Sequence, residues 1–365
     1  MYRVKICAAL LLATLSLAGF KQQTYDDNST HDAVFSTRKA DKEISEKNAG
    51  MLAGISDTGV VYQELYADGA RYRYTFADGA DYQDGNHIVY RASDADKLGY
   101  QYYISDISQN PSDDFPLSEL DGFSLEQAKS MAAEIFGIYE DVNVSAEPSK
   151  VYVYDAEHIN AYLDSKEELL NMHGKKDSSY RWSVQDEVYY MEYNIVYNDL
   201  ALIADYIGDG SYYAKAHIAS IAVGRDGVKY MCISGVYDKV SENVRVGERC
   251  SVDEALNILH DKFGFPYNIS EEEKDSIYLA YIPVAKSADV MNSNQEYQVD
   301  PYWVVDGYMD GKTYDSHTHI TYIVNAVSGE ANIMKQEDFL YEKIKFNSSN
   351  NVGSSRTGCQ PISFS

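Results

Sequence analysis

Two stretches of the chain carry one pattern of apolar and polar positions. They run from Phe123 to Tyr154 and from Cys250 to Tyr281. In the later stretch Val252, Ala255, Leu256, Leu259 and Phe263 recur at helical spacing. In the earlier one Leu125, Ala128, Met131, Ala132 and Ile135 do so. Each helix is announced by a capping box, Ser251-Val252-Asp253-Glu254 and Ser124-Leu125-Glu126-Gln127. The serine hydroxyl accepts from an orphan N–H of the first turn, and the Glu or Gln reaches back to the serine amide. An acidic residue stands in each first turn, where the helix dipole favours it. Both patterns close on Phe-Gly, where glycine supplies a left-handed C′ residue at low cost. Ala128 and Ala255, Phe136 and Phe263, and Gly137 and Gly264 each stand 127 residues apart. After each helix comes an acidic connection and an alternating strand, Lys150 to Tyr154 and Ile277 to Ile282. The repeat predicts an internal duplication of a helix-on-sheet unit; two independently capped helices are the alternative.

Other elements follow in order. Met1 to Phe20 reads as an export signal, with Arg3 and Lys5 before an apolar run from Ile6 to Leu17 that is short for a membrane span. It ends Leu17-Ala18-Gly19-Phe20, a lipoprotein box with Phe20 in place of the lipid-bearing cysteine. Ordinary cleavage, an uncleaved anchor and a lost anchor all remain open. Residues 21–54 read as a polar tether with a short helix around Lys39 to Lys47. Val60–Tyr66, Arg71–Phe76, His87–Arg91 and Gly99–Ile104 alternate as strands, punctuated by Asp68-Gly69, Asp78-Gly79 and Asp84-Gly85. Glu157 to Asn171 reads as helix, and Gly174 to Asp177 as a linker. Val188–Tyr197, the hairpin Ala216–Val223 and Val228–Gly235 around Arg225-Asp226-Gly227, Tyr302–Tyr308 and His319–Ala326 complete the strands. Val327 to Glu330 forms a turn, and residues 347–365 read as a disordered tail.

Composition narrows the partners. A formal net charge of -26 repels phosphate and anionic lipid, so nucleic acid is excluded and a membrane is met only through the N-terminal segment. The 34 tyrosines fall mostly in alternating runs, which suits strands that are half wet.

The motifs of common chemistries are missing. There is no H-E-x-x-H and no G-x-S-x-G. His317 and His319 lie two apart on a strand and read as surface histidines; half a metal site is the alternative, with no third ligand in view. Ser36-Thr37-Arg38-Lys39 has the S-x-x-K spacing without companion motifs, and Gly208-Asp209-Gly210 precedes no helix. Asp78, Asp81 and Asp84 are three apart, whereas a calcium loop places ligands two apart. Of Cys7, Cys232, Cys250 and Cys359, the first lies in the signal, so the mature chain keeps an odd number and shows no disulfide framework. A bridge between Cys232 and Cys250 and a pair of buried thiols are both compatible with the sequence. Cysteine catalysis would need Cys250 beside His260 or His217. Trp182 and Trp303 read as core or sheet-face anchors. No residue is assigned a catalytic, cofactor-binding or metal-ligating role, and no cofactor is expected.

One resemblance covers Tyr190 to Glu330. A hairpin at Asp226-Gly227, the helix opening Ser251-Val252-Asp253-Glu254-Ala255, a strand at Ile277–Tyr281, Pro301-Tyr302-Trp303 and the strand ending Asn325-Ala326-Val327-Ser328-Gly329-Glu330 follow one another. That order resembles extracytoplasmic regulators of the YycH/YycI type and PepSY-like domains of Gram-positive envelope proteins. It also looks like uncharacterised lipoproteins of gut Firmicutes. The resemblance implies non-catalytic helix-on-sheet units that bind or restrain other envelope proteins. YycH and YycI relatives keep an N-terminal membrane helix where this chain has a signal-like segment.

The sequence therefore predicts an α+β protein of two tandem units, each an antiparallel sheet with a helix on one face. A signal peptide (1–20) and tether (21–54) precede unit one (55–176), unit two (177–346) and the tail. The expected function is non-catalytic binding or regulation outside the cytoplasm, secreted or at the cell surface. The partner would be another envelope protein or peptide, or cell-wall glycan. The alternatives are a secreted glycan-binding protein and a hydrolase working through two carboxylates.

Overall fold

The computed structural model describes residues 29–55, 59–65, 71–85, 87–95, 119–165, 181–203, 218–246, 249–265, 277–286, 296–310 and 316–340. The expected strand Gly99–Ile104, the linker, the tail and the signal lie outside them. In chain order the elements are β1 (Ser29–Thr37), α1 (Lys42–Ile55), β2 (Val60–Leu65), β3 (Tyr72–Phe76), β4 (Asp81–Asp84) and β5 (His87–Arg91). Next come α2 (Leu125–Phe136), β6 (Lys150–Tyr154), α3 (Ala156–Ser165), β7 (Val188–Tyr197), β8 (Leu200–Leu202), β9 (Ile218–Gly224) and β10 (Gly227–Ser234). The series closes with β11 (Tyr237–Val246), α4 (Val252–Phe263), β12 (Tyr278–Ala285), β13 (Glu296–Asp310), β14 (Ser316–Asn325) and β15 (Ala331–Leu340).

Two tandem helix-on-sheet units are not what forms. Among the described residues fifteen strands belong to one mixed sheet, ordered β11-β1-β13-β12-β8-β7-β9-β10-β5-β4-β3-β2, with β6 beside β7 and β14 and β15 continuing from β13. The two compact units are interleaved along the chain rather than consecutive. One holds α1, α2 and α3 with β2 to β6, most of β7, β9 and β10; the other holds β1, β8, β11 to β15 and α4.

In the three-helix unit the strands run β6-β7-β9-β10-β5-β4-β3-β2, every pair antiparallel. Both faces are covered. Ile159 of α3 packs with Tyr154, Trp182, Val188, Tyr190, Ala222 and Tyr230 on one face. Alternate residues Tyr189, Met191, Tyr193, Ile221 and Met231 point the other way and are as deeply buried. There α2 brings Phe136 edge-on to Tyr193, ring centres 5.1 Å apart. A strand buried on both faces reads as a continuous apolar run, as Val188 to Met191 does.

The one-helix unit runs β11-β1-β13, with β12 on the other side of β13 at its N-terminal half and β14 then β15 following. β12 pairs β8 in parallel. Ala255 and Leu259 of α4 are buried with Val305, Ile320, Tyr322 and Val324. A helix followed by four strands that pair in sequence thus occurs in each unit: α2 with β6, β7, β9 and β10, and α4 with β12 to β15. The likeness ends there, because β1 to β5, β8 and β11 have no such counterparts.

The described part of the stretch read from polarity as tether, residues 29–54, holds β1 and all but the last residue of α1. β1 contains only Ala33, Val34 and Phe35 as an apolar group, but it is paired on both sides, by β11 and β13. A strand whose amides and carbonyls are met on both edges is held by its ladder as well as by its side chains. In α1 the buried stripe is Ser45, Asn48, Ala49, Leu52 and Ala53. Two of those positions are polar, which hides the helical period from a hydrophobicity reading.

Candidate functional site

A buried polar cluster of the three-helix unit lies around Arg38. Asp41 accepts from the Ile44 amide at 3.0 Å and so starts α1 just beyond it. Arg38 Nη1 donates to Asp84 Oδ1 at 2.5 Å and to the Gly85 carbonyl at 3.2 Å. Its Nε lies 3.0 Å from Asp141 Oδ2. The second Asp84 oxygen accepts from Ser45 Oγ at 2.8 Å. The Arg38 and Asp84 side chains are 3% and 0% exposed. Burial alone would lower the Arg38 pKa, but the carboxylates of Asp84 and Asp141 outweigh it and raise it. Tyr82 and Tyr139 stand beside the pair with ring centres 6.5 Å apart. Burial pushes both phenols well up, with Asp84 adding to it. Arginine, aspartate and serine here satisfy one another, which is the chemistry of a fold lock rather than of proton transfer.

Other carboxylates of this unit are engaged in the same way. Glu187 receives the Ala156 amide at the start of α3 (3.1 Å) and Arg225 Nη2 (2.9 Å). Lys229 Nζ donates to Asp94 at 2.6 Å and Asp226 at 2.9 Å. The Lys229 pKa is lowered by burial but raised on balance by these two acids. Asp78, Asp81 and Asp84 do not converge. Asp78 accepts from the Ala80 amide, Asp81 lies 3.8 Å from both Arg73 and Arg91, and Asp84 holds Arg38. The described residues contain no gathering of three His, Cys, Asp or Glu side chains fit for a metal.

The described tyrosines are largely structural. Tyr74, Tyr82, Tyr139, Tyr154 and Tyr189 are among the largest fully buried side chains. Tyr189 uses its polar tip: its hydroxyl donates to the Phe123 carbonyl at 2.9 Å and accepts from the Leu120 amide at 2.8 Å, fixing the turn that enters α2. Trp182 is a core residue. Trp303 is half-buried, donates from Nε1 to the Cys250 carbonyl at 2.8 Å, and carries the Arg249 guanidinium 5.8 Å from its ring centre.

Cys232 is disulfide-bonded and Cys250 is a free thiol, so a bridge between these two does not form. The other half of the Cys232 bridge lies outside the described residues. Burial, with Glu254 adding, raises the Cys250 pKa, which keeps the thiol protonated. His260 sits in the last turn of α4 and puts Nδ1 2.6 Å from the Phe265 carbonyl. The helical rise from Val252 to His260 alone is about 12 Å, which sets His260 too far from Cys250 for a catalytic couple. His217 and Gly208-Asp209-Gly210 lie outside the described residues. His317 and His319 are placed on β14, opposite Asp310 and Tyr308 of β13. Ser36 and Thr37 end β1, and Arg38 is the buried lock.

The surface feature that composition does not reveal is β2. It closes the path of the sheet and pairs with β3 only, among the described residues. Val60, Tyr62 and Leu65 on it are 41%, 53% and 50% exposed.

No protein-family model matches the chain, and no curated protein matches it. Among solved structures it is similar to an uncharacterized protein from Eubacterium rectale ATCC 33656, with a TM-score of 0.55 and 16% identity over 84% of this chain and 86% of that one. At that identity the likeness is one of fold, and fold carries no activity with it.

Proposed function

We propose that this chain is a non-catalytic binding or regulatory protein that works outside the cytoplasm, in the cell envelope. The signal-like stretch Met1 to Phe20 supports the location. The inward carboxylates of the three-helix unit end on cations and amides of the fold, which supports a scaffold over a hydrolase. The observation that carries the reading is β2, whose second edge meets no strand among the described residues and which bears exposed apolar side chains, since such an edge is a template for another chain. Among the described residues most tyrosines are buried, which lends no support to a glycan platform.

A photo-crosslinking residue placed at Tyr62 in cells making the full chain tests the reading, with Val184, also exposed, as the reference position. A discrete adduct is expected at position 62 and not at 184, formed by protein that protease reaches in intact protoplasts. The same adducts at both positions, or adducts only on protein retained inside, would sink it.

A further inference from the structure

Resting on that binding role, the side of β2 that no described strand pairs also says what kind of partner it takes. Three other strands have a single described neighbour, and each carries charge along it. These are β6 with Lys150, β11 with Lys239, Glu242 and Arg245, and β15 with Lys335 and Glu337. Charges, lysine above all, and proline are what keep a sheet from growing at its edge. β2 reads Val-Val-Tyr-Gln-Glu-Leu and has neither lysine nor proline. Its register shift lies between Val60 and Tyr62, which leaves Tyr62 to Leu65 in regular pairing with Thr75 to Tyr72.

Charge selects what can add there. β2 presents Glu64, and Gln63 beside it donates to Glu46 of α1 at 3.2 Å. Glu43 is exposed near the start of the same helix. The cations around the strand already face acids: Lys42 lies 3.8 Å from Glu46, Lys47 2.9 Å from Glu140, and Arg73, opposite Glu64 in register, 3.8 Å from Asp81. A second copy of the chain would bring another net charge of -26 and set Glu64 near its own equivalent. We infer that β2 instead receives an extended basic segment of a partner, added to the sheet as a further strand. Backbone hydrogen bonds supply its affinity and alternate side chains its specificity. A Lys or Arg stands opposite Glu64, and apolar side chains stand opposite Tyr62 and Leu65.

Two synthetic peptides test this against the purified full chain by fluorescence anisotropy. One has Val-Lys-Thr-Val at its centre, so that an antiparallel strand sets Lys opposite Glu64; its twin carries Glu in place of Lys. The Lys peptide is expected to bind saturably, roughly tenfold or more tighter than its twin, with the gap shrinking as salt rises to about 1 M. Leu65→Lys, at a position half exposed in the free protein, is expected to weaken binding about tenfold with the melting temperature unchanged. Glu64→Lys is expected to reverse the preference between the peptides. Equal binding of both peptides, no saturable binding, or a preference indifferent to Glu64→Lys overturns the inference. So does a dimer of the chain that Leu65→Lys dissociates. A specific Tyr62 adduct in cells together with any of these results removes the basic strand and leaves the binding role standing; absence of that adduct removes the role itself.

Discussion

Arg38 is a charge that the fold cannot leave alone. With Asp84 gone, its guanidinium stays buried with only Asp141 and a carbonyl to answer it. Asp84→Ala is therefore expected to cost about 3–5 kcal/mol, the range for breaking a buried pair at one end, read from the midpoint of urea unfolding. Replacing both members by apolar residues, Arg38→Met with Asp84→Leu, is expected to recover much of that loss, because an apolar pair needs no counter-charge. The tyrosines give a second reading at this scale. Burial pushes the phenols of Tyr74, Tyr90 and Tyr230 up to about 12. A phenol with a raised folded pKa contributes stability that is fully present below the unfolded value near 10 and is lost as pH climbs through the folded value. Titration at 295 nm should thus show Tyr74, Tyr90 and Tyr230 ionising late, at about 12 or together with unfolding. A single transition at pH 10 for all tyrosines would contradict their burial.

At the scale of elements, the two capping boxes form as the residue types dictate. Gln127 and Glu254 donate their amides to Ser124 and Ser251 at 3.3 Å and accept back through their side chains. Ser124→Ala and Ser251→Ala should each cost about 1 kcal/mol, measurable by thermal unfolding. The two glycines that follow do not behave alike. Gly264 is left-handed at φ 72°, but Gly137 keeps a right-handed conformation at φ -62°. Gly264→Ala should cost about 1 kcal/mol in backbone strain that Gly137→Ala does not incur. Elements that combine a cap, a 3.6-residue stripe and a turn glycine were legible in the sequence, as were β7 and the β9–β10 hairpin. The short helix expected around Lys39 to Lys47 overlaps the start of α1, but β1 and the rest of α1 were not legible, because pairing on both edges holds β1 while Ser45 and Asn48 interrupt the stripe of α1. The Arg38 cluster was also hidden. Its acids come from separate segments, at positions 84 and 141, and nothing in spacing brings them to residue 38. The turn between β7 and β8 uses Asn198 and Asp199 at φ 44° and 62°, a left-handed pair that asparagine and aspartate accept most readily.

For the whole molecule, the tandem order expected from the repeated helix gives way because β1 and β11 to β15 close on one another from opposite ends of the chain. Ser29 stands opposite Val246, and Phe35 opposite Tyr297. Removing residues 29–37 takes away the partner that β11 and one edge of β13 share. A chain beginning at Arg38 is expected to lose the cooperative unfolding of the one-helix unit, seen as exchange of β11 and β13 amides within minutes, while amides of β7 and β9 stay protected.

That early strand also sets a schedule. β1 is made, and if exported emerges, before either of its neighbours exists, and about 200 residues must follow before β11 can meet it. Closing so large a loop is slow compared with forming a local hairpin such as β9–β10, so β1 spends the interval with both edges bare. Whatever handles the nascent chain during that wait, a holding factor or simply fast delivery, protects the first strand through to the last.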